Sequence, residues 1–457
     1  MTPLSKVDRS RLPEPGPSSL AAFPAIEKSS LANGLRVWTV RHAQVPVVSL
    51  SLLIRRGASS DPIGRHGLAA TTADMLDEGS GSRSAIEVHE AIARLGTQLE
   101  TDIGSDATIA GFSVLARFVG RALTLLADVV VRPALREDDF ARVRQLRLHR
   151  LTQMRDVPTA IADRTFIRLL YGDHPYGHTP IGNEQALASM TADDVRAFHA
   201  SALRPTAATL IAVGDCDHET IRRLAAEAFG DWQGDAADPE AGDIVLPQPA
   251  RLNIVSRAQA PQSELRIGHV SVARSSPDYH ALVTGNMVLG GQFASRINLN
   301  LREDKGFTYG ARTAFDFRRR PGPFVLQVGV QTSATAQSIQ ESIGEITAIA
   351  GPRPITSDEL RLAAAALTRG FARNFETAEQ IARGATQLAL YDLPDTYFAD
   401  FVPAIERLTT EDVTRAMARH LEPARLTTVI VGDYDVVSAD LDGLGMGEPL
   451  VLSDLAI

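Results

Sequence analysis

Residues 190–217, MTADDVRAFHASALRPTAATLIAVGDCD, align without a gap to residues 408–435, LTTEDVTRAMARHLEPARLTTVIVGDYD, at an offset of 218. Whatever unit the first copy forms, the chain must build twice. Both copies place a Thr before acidic residues, then an amphipathic stretch, a Pro, and an apolar run ending in Gly-Asp, which predicts a capped helix followed by a strand. A fainter echo sets TADMLDEG (72–79) against TGNMVLGG (284–291) at an offset of 212, so the chain reads as two homologous halves. LRVWTV, VVSLSLLI and TIAGFSVLA alternate as strands, and AIEVHEAIARLG, stopping at Gly96, and RALTLLADVVV read as helices. The expected class is α+β: two similar halves facing each other, each a β-sheet covered by helices on one side. The expected boundaries are a Pro- and Ser-rich arm over 1–26, a half over 27–232, a linker rich in Asp, Pro, Gly and Ala over 233–253, and a half over 254–457.

Composition narrows the function. At 44% apolar and 22% charged residues the chain is not of the disordered class, and its net charge of -9 lacks the basic face that a nucleic-acid partner demands. No apolar run approaches the roughly 18 residues that span a membrane, so no membrane partner is expected. The single cysteine, Cys216, fits a reducing compartment, and a cytoplasmic location is expected.

Several segments carry chemically capable residues. Cys216 stands two before His218, but the repeat puts Tyr434 at its position, which marks a strand-to-loop junction. HPYGH (174–178) spaces two histidines four apart, yet Pro175 and Gly177 oppose a helix, so a loop with exposed or capping histidines is expected. EGSGSRS (78–84) lacks the Lys of a phosphate loop and reads as a helix stop with Ser84 capping the next helix. RRRPGPF (318–324) reads as a solvated hairpin end. In LGGQFASRINLNLREDKGFTYGARTAF (289–315) a Gly pair precedes a helix ending near LRE, a DKG turn follows, and a strand is expected from Phe307. Arg302 and Tyr309 bracket that turn. They are either a surface Arg with a half-buried Tyr or a guanidinium and phenol presented together to a carbonyl oxygen.

That last segment resembles the signature of the pitrilysin or insulinase-like zinc metallopeptidases, which include the mitochondrial processing peptidase: Gly-Gly, then LRE, a turn ending in Gly, and a Tyr seven after the Arg. LANGLRVWTV, GDHPYGHTPIGNEQALASMTADDVRAFH and the duplicated strand ends extend the resemblance over about residues 27–435. In active members the helix at GLAATTADML carries His-x-x-Glu-His, whose histidines bind zinc while the glutamate acts as base. Here Ala70, Ala73 and Asp74 stand at those three positions, and the segment 140–156, expected to supply a third glutamate ligand, has none. The resemblance therefore implies no zinc in this chain. Members of this size often work as pairs, and the implied role is the subunit that offers Arg302 and Tyr309 to peptide substrates held at the zinc of a homologous His-x-x-Glu-His partner. The alternative is a silent scaffold, as in relatives that form the core of a respiratory complex.

Overall fold

The computed structural model describes Ser10 and residues 23–235, 247–248 and 251–452; most of the expected arm and much of the expected linker lie outside these. The first half contributes β1 (Glu27–Ser30), β2 (Arg36–Arg41), β3 (Val47–Ile54), the short hairpin β4 (Gly79–Ser80) and β5 (Arg83–Ser84), then β6 (Glu100–Ile103), β7 (Thr108–Leu115) and β8 (Ala208–Gly214). The second contributes β9 (Leu252–Ser256), β10 (Gln262–Val270), β11 (Ala311–Phe315), β12 (Pro323–Gln331), β13 (Thr427–Gly432) and β14 (Leu450–Leu452). One six-stranded sheet runs β1-β2-β8-β3-β7-β6 and the other β11-β12-β10-β13-β9-β14. Reversed, the second contains β9-β13-β10-β12-β11, the order of β2-β8-β3-β7-β6. Each set has one parallel pair, β2 with β8 and β9 with β13, and is otherwise antiparallel. The fold is α+β with two mixed sheets.

The repeat explains the shared local structure. Thr191 and Thr409 each cap a helix in a reciprocal box with Asp194 and Asp412, satisfying backbone N–H groups that the first turn leaves without partners. Each helix is followed by a turn begun by Pro205 or Pro423, and then by the fully buried strand β8 or β13.

The sheets are covered on both faces, where the sequence suggested only one. Alternation in β3 sends Val48, Leu50, Leu52 and Ile54 toward helices of its own half, Leu68–Asp74 and Val119–Val131 among them. The opposite face, with Leu53, Trp38, Val40, Ile211 and Val213, packs on helix Ala378–Tyr391 of the other half, the Ala378 helix. Reciprocally, helix Pro158–Tyr171, the Pro158 helix, leaves its own half to cover Val255, Val325, Val429 and Val431 of the second sheet. The two helices are a repeat pair that escaped the sequence comparison: PTAIADRTFIRLLY against AEQIARGATQLALY, sharing Ile161/Ile381, Ala162/Ala382, Leu170/Leu390 and Tyr171/Tyr391.

Both helices end on one hairpin. Tyr171 donates its hydroxyl to Pro321 O at 2.9 Å, and Tyr391 donates to Phe317 O at 3.2 Å. The turn between β11 and β12 is thus not simply solvated: the Arg318 guanidinium is largely buried over the rings of Tyr171 and Tyr176 and pairs with Asp316 at 2.7 Å. Arg319 and Arg320 remain exposed.

Leu388 in the Ala378 helix is wholly buried. Leu388→Ala is expected to destabilise the protein by about 2–5 kcal/mol, with hydrogen-exchange protection lost in β3 and β8 of the other half. Loss confined to the second half would contradict the exchange of helices.

Candidate functional site

Helix Leu68–Asp74 begins at Gly67 in the left-handed conformation (φ +97°), and its first turn is capped from a distance. The buried Asp61 carboxylate accepts from Gly67 N at 2.6 Å and Ala69 N at 2.7 Å, a favourable place for negative charge at a helix N-terminus. His178 Nε2 lies 3.1 Å from the same carboxylate and stacks on His66 at 4.2 Å between ring centres. Burial, then the neighbouring His178, pull the His66 pKa down. The His178 imidazole is buried, unlike the exposed or capping residue expected of HPYGH, and His174 closes a turn of the loop by accepting from Tyr176 N at 3.0 Å. Gly182, at φ +80°, lets the 180–183 loop press on the start of the helix, where a Cβ would lie 2.2 Å from His66 O.

On this helix Ala70 and Ala73 are buried and bring only methyl groups, while Asp74 is exposed. Arg147, on helix Glu137–Met154, reaches Asp74 Oδ2 with Nη1 at 2.5 Å and donates through Nη2 to Pro180 O at 3.0 Å and Ile181 O at 3.2 Å. The guanidinium is almost wholly buried, and its Nε has no hydrogen-bond partner. Arg147 falls within the segment where a third acidic ligand was sought. Its role was legible in principle: Phe140, Val143, Arg147 and Leu151 are the buried residues of that helix, so an arginine interrupts an apolar stripe and needs a buried partner.

In the second half, two π-helical turns, Met287–Gly291 and Leu299–Asp304, contain the Gly pair and Arg302 respectively. Gly290 presses on β11 so closely that a Cβ would stand 2.5 Å from Thr313 Oγ1. Asn298 holds the β11 edge as a strand would, donating to Ala311 O at 2.8 Å and accepting from Ala311 N at 2.9 Å. Arg296 anchors the intervening turn on Glu359 at 2.6 Å; burial works to raise the Glu359 pKa, but the Arg296 guanidinium and the Thr356 cap hold it down to about 2. β11 begins at Ala311 rather than Phe307, so Tyr309 sits in the connecting loop instead of on a strand. It is 94% exposed, not half-buried, and lines an open cleft of about 510 Å³ with Phe293, Arg312 and Arg266. Arg302 does not line that cleft: its guanidinium stacks 3.9 Å above the Phe293 ring and pairs with Glu303 at 3.0 Å. Phe293, unremarked in the sequence, is what connects the two.

The remaining candidates resolve simply. Burial, with Asp217 and Asp215 nearby, pushes the Cys216 thiol up to about 11, and His218 Nδ1 bonds Thr39 Oγ1 at 2.8 Å rather than the sulfur. Ser84 caps its helix in a reciprocal box with Glu87, so the glycine-rich segment is a small hairpin and helix start. Among the described residues no helix is long and apolar enough to cross a membrane, and no group of three His, Cys, Asp or Glu side chains is placed to hold a metal.

The family profile described as Insulinase (Peptidase family M16) matches residues 36–181, and Peptidase M16 inactive domain matches residues 189–367. An uncharacterized zinc protease of Mycobacterium tuberculosis is 26% identical over 427 residues, covering 93% of this chain and 97% of that protein. The zinc protease YmxG of Bacillus subtilis is 23% identical over 335 residues, covering 73% and 81%. A crystal structure of a peptidase M16 inactive domain from Pseudomonas fluorescens superposes with a TM-score of 0.82 at 26% identity, covering 90% of this chain and 98% of that one. A protease from Helicobacter pylori shares the fold with a TM-score of 0.81 at 21% identity, covering 89% and 99%. Matched in both halves by profiles of one family and similar over nearly its whole length to zinc proteases, the chain belongs to the M16, or insulinase, family of peptidases.

Proposed function

We propose that this chain is the zinc-lacking subunit of a heterodimeric M16 peptidase. A homologous partner with His-x-x-Glu-His supplies the metal and the base, and this chain supplies Arg302 and Tyr309 to the peptide's carbonyl oxygen. The observation that carries the reading is the pair Asp74–Arg147. Ala70 and Ala73 have no donor atom, and the one carboxylate at the motif is bound by a buried guanidinium, so these residues do not fit a zinc ion, which takes three protein ligands in a catalytic site.

What remains available is the second half. The exposed Tyr309 hydroxyl donates one hydrogen bond without disturbing anything that holds it, while Arg302 swings off Phe293 and Glu303 to offer a planar fork of N–H groups. Both donors favour the charge that develops on the carbonyl oxygen over the neutral ground state, which is what accelerates acyl transfer. Substrates are short or unfolded peptides, because a chamber closed between two such subunits excludes folded domains. The stacking of Arg302 on Phe293, outside the cleft, is the one observation that favours the scaffold reading.

Purified alone, the chain is expected to hold no stoichiometric zinc and to leave peptides intact. Elemental analysis finding one tightly bound zinc per chain, lost in Asp74→Ala, would overturn this reading. Mixed with its zinc-bearing homologue, it should restore a peptidase activity that chelators abolish; native complexes without any zinc-motif chain would favour the scaffold instead.

In the assembled complex, Tyr309→Phe is expected to lower kcat by about a hundredfold or more, the usual cost of one oxyanion donor, with assembly and partner zinc unchanged. Arg302→Lys should also impair turnover, because an ammonium lacks the fork. Full turnover in both variants would make the pair structural.

A further inference from the structure

The repeat lets the two halves be compared residue by residue. Arg266 lies opposite Val429 and Glu264 opposite Val431, while Ser51 lies opposite Ile211 and Ser49 opposite Val213. Ile211 and Val429 are equivalent positions of the repeat, as are Val213 and Val431. Ser51 therefore stands where the second half has Arg266, and Ser49 where it has Glu264. By the next pairing outward, Glu100 stands where the second half has Arg312. The exchanged helices likewise match Arg383 with Asp163.

In the second half these charges close on one another: Arg266 pairs with Asp163 at 2.6 Å and with Glu264 at 3.0 Å, tying the Pro158 helix to β10. In the first half two serines bring no charge to the helix, and a cleft of about 520 Å³, the counterpart of the one that Glu264, Arg266 and Arg312 line beside Tyr309, lies between β3, β6, β7 and the Ala378 helix. Glu100 and Asp102 line it from β6, and Glu379 and Arg383 from the helix; none of the four has an ion pair among the described residues. Ser49 is only 6% exposed, lines the same cleft, and has no hydrogen-bond partner for its hydroxyl among the described residues.

We propose that this cleft binds a flexible organic cation: an ammonium or guanidinium on a hydrocarbon stem. Three carboxylates against one guanidinium leave the cleft acidic, so a cation is what it lacks. Ile109 and Leu390 offer apolar surface to the stem, and the Ser49 hydroxyl accepts an N–H where the second half has the Glu264 carboxylate. The side chain of Lys or Arg in a peptide and a free polyamine share this chemistry. The site is distinct from the cleft at Tyr309 and needs no partner subunit, so it stands or falls apart from the heterodimer reading.

The test is titration calorimetry on the whole isolated chain with spermidine, with acetyl-Gly-Arg-Gly-amide, and with the same peptide carrying citrulline for Arg. Saturable one-to-one binding of at least one cationic compound, and none of the citrulline peptide, is expected. Tighter binding of the Arg peptide assigns the site to peptides, and tighter binding of spermidine to polyamines. The double variant Glu100→Gln/Asp102→Asn, at exposed positions, should weaken binding roughly tenfold or more with the thermal melt unchanged. Ser51→Arg, which places a tethered guanidinium in the cleft, should abolish it; if that variant fails to fold, the double variant decides. Failure of both cations to saturate, equal binding of the citrulline peptide, or indifference to the double variant would each overturn the proposal.

Discussion

Neither sheet in this protein can bury both of its faces with residues of its own half. β3, β8 and their neighbours present Leu53, Ile211 and Val213 on the face away from their own helices, and β9, β12 and β13 do the same with Val255, Val325, Val429 and Val431. Left in water, each such side chain forgoes about 1.5–3 kcal/mol. The exchange of the Pro158 and Ala378 helices removes both exposures at once. Both clefts inherit that geometry: the Pro158 helix brings Thr159 to the rim of the Tyr309 cleft, and the Ala378 helix walls the acidic cleft of the first half.

The same architecture carries opposite electrostatic solutions in its two halves. Around the motif helix, a buried guanidinium is held by one half-exposed carboxylate and two carbonyl oxygens, which fixes the helix to the 180–183 loop through a single positive charge. Such a cation is costly to bury unless every partner is in place. At β10, Arg266 is satisfied by Asp163, Glu264 and backbone carbonyls. At the equivalent point of β3 there is no charge on the strand at all, and the charges on its neighbours face solvent.

Much of this was legible in the chain. The capped helix and buried strand of each repeat, the β3 and β7 alternation and the cap at Ser84 follow from local grammar, since capping and period-two burial act within a few residues. The exchanged helices were not legible as exchanged: an apolar stripe says that a face is buried, not which sheet buries it. The start of β11 was misplaced because Phe307 and Tyr309 read as alternation, whereas the edge is in fact set by Asn298, thirteen residues before Ala311. The alanines of the motif helix were plain; the arginine opposite them could be found only by asking why a charge interrupts a buried stripe.

The exchange of helices also dictates when the protein can become a protein. β8, the last strand of the first sheet, ends at Gly214, but the helix that closes its second face begins at Ala378. At ribosomal speeds of about 5–20 residues per second, the finished sheet waits roughly 10–30 s with one apolar side uncovered. For that interval the nascent chain is a client for any holdase that reads exposed valine and isoleucine. A stop between Gly214 and the Ala378 helix leaves an aggregation-prone sheet rather than a finished half.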